Sequence, residues 1–123
     1  MKNIRNKYID DLEFAKAWVQ TRSEFHPRSS RALRIELHQK GIAEDQISET
    51  LANIDDISLA ISAARKQSRR YQHLDWQSFR QKLGAFLSRR GFQYSDISLV
   101  VKKTWEEINE DRKNLIIDRG KYE

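Results

Sequence analysis

This chain carries a degenerate copy of itself. Leu33, Leu37, Lys40-Gly41-Ile42, Ile47 and Leu51 recur fifty places on as Leu83, Leu87, Arg90-Gly91-Phe92, Ile97 and Val101. Earlier in the chain the offset is forty-five: Asp10-Asp11-Leu12 matches Asp55-Asp56-Ile57, and Phe14-Ala15 matches Leu59-Ala60. Two copies of one unit, with a middle connection of different length, make a repeat protein. In such chains each unit buries part of its apolar face against its neighbour. The expected product is an elongated binding surface in place of a catalytic cleft.

The apolar residues fall at helical spacing. A first helix is predicted over 11–25, with Leu12, Ala15, Trp18, Val19 and Arg22 on one stripe. Asp10 caps it in this reading, and Glu13 completes a capping box. Pro27 re-aims the chain, and Ser29 or Ser30 caps a second helix to Lys40. Gly41 supplies the left-handed position after its end. A short third helix follows over 45–54. The second unit repeats the plan: a helix over 56–71, a helix over 76–90 capped by Asp75 and ended by Gly91, and a helix capped by Ser95 and running to about Lys113. No segment sustains period-two alternation. The predicted fold is all-α: two tandem three-helix repeats, residues 1–54 and 55–113, packed as an elongated, curved domain, with a tail over 114–123.

Composition narrows the function. The 123 residues are 38% hydrophobic and 33% charged, enough for a modest core in a polar molecule. A net charge of +5 and a pI of about 9.6 favour acidic partners, nucleic acid among them. Cysteine is absent, which excludes disulfides and thiolate chemistry. The N-terminal residues include no apolar run long enough for a signal peptide or membrane span, so a cytoplasmic protein with no membrane partner is expected.

Three blocks of this sequence together resemble the RecX family of bacterial recombination regulators. They are Asp10-Asp11-Leu12-Glu13-Phe14-Ala15-Lys16-Ala17-Trp18-Val19-Gln20-Thr21-Arg22, Arg34-Ile35-Glu36-Leu37-His38-Gln39-Lys40-Gly41-Ile42, and Phe86-Leu87-Ser88-Arg89-Arg90-Gly91-Phe92-Gln93-Tyr94-Ser95-Asp96-Ile97. The resemblance implies three units in a full family member, of which this chain shows what look like the second and third. It also implies a non-enzymatic modulator, mainly an inhibitor, of RecA recombinase and co-protease activity. Such a protein would lie in the groove of the RecA–DNA filament and regulate recombination, DNA repair and the SOS response.

Charge is unevenly spread. Between Ala60 and Phe92 stand Arg65, Lys66, Arg69, Arg70, Arg80, Lys82, Arg89 and Arg90 against a single acid, Asp75. Arg65 and Arg69 are four apart, as are Lys66 and Arg70, so they form stripes on one helix. A field of this sign suits phosphates; the plainer alternative is a solvated basic face. Arg28, Arg31 and Arg34, spaced by three, form a second set suited to bidentate contact with carboxylates or phosphates. These residues are the candidate contacts to RecA or DNA.

Other features read as structure. Trp18 and Trp105 sit in apolar stripes, and Trp76 is expected to pack at the joint between repeats. His26, His38 and His73 lack metal-ligand spacing, so no metal is expected. Asp10-Asp11 and Asp55-Asp56 read as helix starts and not as a catalytic pair. Glycine-rich phosphate loops and nucleophile motifs are missing, so neither enzyme nor cofactor is expected. A monomer that binds the RecA filament, and bare single- or double-stranded DNA only weakly and without sequence preference, fits these observations. The alternative is a stand-alone basic helical DNA-binding protein.

Overall fold

A computed structural model describes the backbone of residues 4–120 and the side chains of residues 6–116. Among the described residues it contains six helices and no strand: α1 Ile4–Phe25, α2 Ser30–Gln39, α3 Glu44–Leu51, α4 Asp56–Ser68, α5 Trp76–Arg89 and α6 Tyr94–Gly120. They form two three-helix units, in which α1 and α2 pack on α3, and α4 and α5 pack on α6 and on each other.

The repeat is visible in the helix ends. After α2, the Gly41 N–H donates to the His38 carbonyl (3.0 Å) and the Ile42 N–H to the Leu37 carbonyl (3.1 Å). After α5, Gly91 and Phe92 make the same pair of bonds to Ser88 and Leu87, at 3.0 and 3.2 Å. Both glycines have positive φ, 83° and 91°. These are Schellman ends, in which a left-handed residue lets the chain turn back on the last carbonyls. At the other ends, the side chains of Ser29, Asp55 and Asp75 accept the first free N–H groups of α2, α4 and α5.

Each unit closes its own core. Ala15, Val19, Leu33, Leu37, Ile42, Ile47 and Leu51 form one cluster. At equivalent places Ala60, Ala64, Leu83, Leu87, Phe92, Ile97 and Val101 form the other, widened by Ala63, Phe79 and Val100. The sharing of apolar faces between neighbouring repeats, expected from the sequence, is therefore not how these two units join. The joint is polar. The Ser29 N–H donates to the Arg90 carbonyl at 3.1 Å, the Ser30 N–H and hydroxyl donate to Asp56 at 2.8 and 3.0 Å, and Lys66 Nζ donates to the Glu24 carbonyl at 2.7 Å.

Two helix starts differ from the sequence reading. α1 begins at Ile4, so Asp10 and Asp11 lie inside it and Asp10 is no cap. The added turns are held from α3: Gln46 Nε2 donates to the Tyr8 carbonyl (2.9 Å), and the Tyr8 hydroxyl donates to Glu49 (3.0 Å). α6 begins at Tyr94, which puts Ser95 in its first turn instead of at its cap. Gln93 holds the preceding place, its carbonyl accepting from the Ile97 N–H at 2.9 Å, just as the Ala43 carbonyl accepts from Ile47 before α3. α6 also runs past Lys113 to Gly120, tied along the way by Arg112, which donates to the Gln72 carbonyl. Residues 121–123, the end of the expected tail, lie outside the described residues.

Candidate partner-binding surface

The structure divides the sequence-predicted basic residues by what they face. At the joint, Arg90 caps α5 and is half-buried. Its Nη1 donates to His26 Nδ1 at 3.2 Å, and its guanidinium lies 4.8 Å from the centre of the Phe86 ring. Burial, followed by the charges of Arg28, Arg22 and Arg89, pushes the Arg90 pKa below the ordinary arginine value. Arg28 precedes the Ser29 cap and is half-buried; its Nε is buried without a hydrogen-bond partner. Arg89 is exposed, and Lys66 bridges across to Glu24. Arg22 pairs with Glu36 at 3.2 Å and stacks on Trp18. The joint thus gathers like charges from both units, a field that attracts phosphates and carboxylates.

The remaining residues are placed elsewhere. Arg65 forms a two-pronged contact with Glu107 on α6, at 3.3 and 3.0 Å, which raises the arginine pKa and lowers the glutamate pKa. Arg69 shares a recess with Glu107 and Asp111. Arg34 pairs with Glu44, and His38 reaches the same carboxylate. The three-residue spacing of Arg28, Arg31 and Arg34 does not make one helical row, because α2 starts only at Ser30. Arg31, Arg70, Arg80 and Lys82 are exposed.

Sequence reasoning missed Arg22 and His26 as members of the joint, and Lys103, which lines a recess with Arg65 and Lys66. Arg22 stands in the first resembling block, but its place on an apolar stripe masks its role. Trp18 is packed, as expected: it stacks on Phe14 at 6.0 Å between ring centres and lies under Arg22 and Lys40. Trp76 packs inside the second unit and not at the joint, 5.5 Å from Trp105, which in turn lies 4.9 Å from Phe79. Among the described residues no cluster of three or more potential metal ligands occurs, and no helix is long and apolar enough to cross a membrane.

Comparison with known proteins places this architecture. The chain is 29% identical over 109 residues to the regulatory protein RecX of Bacillus pumilus strain SAFR-032, covering 86% of this chain and 41% of that one. It is 40% identical over 89 residues to RecX of Chlorobium phaeobacteroides strain BS1, covering 72% of this chain and 58% of that one. The chain therefore spans about half the length of these relatives. The crystal structure of RecX from Lactobacillus salivarius superposes with a TM-score of 0.63 at 22% identity, covering 80% of this chain and 70% of that one, which shows a shared fold. Residues 10–51 match the family model of the second three-helix domain of RecX, and residues 54–101 that of the third; the chain belongs to the RecX family.

Proposed function

We propose that this chain is a binding module that modulates RecA, mainly as an inhibitor of its recombinase and co-protease activities, by seating in the groove of the RecA–DNA filament. It acts by occupancy, without turnover or cofactor, in the cytoplasm. The observation that carries this reading is the cationic joint of Arg22, Arg28, Arg89 and Arg90 in a family of regulators. Charge drawn from two units spreads one anion-seeking face across both, suited to a repeating polyanionic groove and unsuited to reading base edges at one site.

The test is co-sedimentation with RecA–single-stranded DNA filaments. Replacing Arg28 and Arg89 together by Glu should weaken the association by at least roughly tenfold, as for reversed charges in a complementary interface. Circular dichroism should show the helices unchanged. Full affinity in the folded double variant would remove the joint from the binding face.

A further inference from the structure

The two units differ in one groove, and the difference is written in the repeat. In the first unit a polar bridge spans α2 and α3: Arg34 pairs with Glu44, His38 reaches the same carboxylate, and Ser48 hydrogen-bonds Glu44 at 3.3 Å. Fifty places on, the positions of Arg34, Glu44, His38 and Ser48 hold Gly84, Tyr94, Ser88 and Ser98. The bridge is gone, and an open groove of about 700 Å³ runs between α5 and α6.

Gly84 is not required there by the fold of α5. It lies in the helix interior without positive φ, and a Cβ added to it would meet only Ile97 Cγ2, at 3.7 Å, an ordinary contact. What its missing side chain does is keep the groove open. Ile97 contributes to the floor, and Trp76 and Tyr94 flank it, Tyr94 with 82% of its surface exposed. Arg80 and Lys102 supply the charge, and among the described residues no acidic side chain lines the groove. Along α5 the lining recurs from Trp76 to Ser88, a length of about 18 Å, which a helix of about 12 residues would match.

We infer that the α5–α6 groove is a docking site for an acidic amphipathic helical segment of a partner protein, with a large apolar side chain seated over Gly84 between Trp76 and Tyr94. Apolar anchors on one helical face suit a groove between two helices, and Arg80 and Lys102 select carboxylates on the flanks of that segment. The site is separate from the cationic joint and does not rest on the filament reading, since it is tested without RecA or DNA.

The probe is a fluorescein-labelled peptide of about 12 residues, with Leu and Trp on one helical face and Glu elsewhere. Its controls are the same peptide with Lys in place of Glu, and oligothymidylate. Fluorescence anisotropy should rise with the acidic peptide and stay flat with the lysine peptide, and unlabelled oligothymidylate, which seeks the joint, should not displace the acidic peptide. Gly84→Arg, which installs the residue of the first unit, should weaken binding at least about tenfold, equivalent to about 1.4 kcal/mol. The paired variant Arg80→Glu with Lys102→Glu, at exposed positions that leave the core intact, should do the same. Absence of binding by the acidic peptide, undiminished binding by folded Gly84→Arg or by the paired variant, or competition by oligothymidylate would each overturn the assignment.

Discussion

Gly41 and Gly91 occupy the same place in the two repeats, yet their surroundings differ. A Cβ added at Gly41 meets nothing within 4 Å; at Gly91 it meets Ser29 Oγ at 2.7 Å and Ala32 Cβ at 2.8 Å. Gly41→Ala therefore bears only left-handed backbone strain, about 1–2 kcal/mol. Gly91→Ala bears that strain and also pushes the start of α2 away from the joint. Urea denaturation should show the larger loss for Gly91→Ala. The caps Asp55 and Asp75 carry a pH signature. Hydrogen bonds from Ser58 hold the Asp55 pKa below the usual carboxylate value, and those from Ser78 do the same for Asp75. A lowered folded-state pKa gives stability that is complete above the unfolded value of about 3.9 and lost as pH falls through the folded one. Asn keeps the capping acceptor without the charge. The double Asp→Asn variant should therefore lose less stability than the parent between about pH 7 and about pH 3, measured by urea midpoints.

At the scale of the element, α5 contains the clearest conflict between local propensity and use. Gly84→Ala should raise stability by up to about 1 kcal/mol, because alanine is the better helix former and the site has room for its methyl. A higher thermal midpoint checks this; a lower one would mean that the fold itself needs the glycine. The elements most legible in sequence are those ended by local chemistry: the Schellman glycines and the caps at Ser29, Asp55 and Asp75 act within a few residues of themselves. Asp10 mimics such a cap, but the turns before it are held by Gln46 and Glu49, partners 38 and 41 residues from Tyr8 that no local pattern announces. The basic site was legible as composition and not as geometry. Arg65 and Arg90 look alike in a charge run, yet α4 turns Arg65 toward Glu107 while the α5 cap turns Arg90 into the joint.

On the scale of the whole molecule, two separate cores joined by hydrogen bonds make a linkage that is easier to loosen than either unit. Asp56→Ala removes the acceptor of both Ser30 bonds across the joint. It should pull apart the unfolding of the first unit, reported by Trp18, and of the second, reported by Trp76 and Trp105; coincident transitions would show that the units are coupled by other means. In the proposed filament reading, a joint of this kind lets the cationic face adjust to a long, repeating partner while each unit stays folded. The charges are spread over several helices, so bare DNA should be held weakly, without sequence preference, and released by salt. The most direct test of the filament reading compares two titrations at one salt concentration: inhibition of RecA ATPase on single-stranded DNA, and binding to the same DNA without RecA. Inhibition at concentrations where bare-DNA binding is negligible is the predicted result; salt-resistant, sequence-selective binding to bare DNA, with no effect on RecA beyond that occupancy, would contradict it.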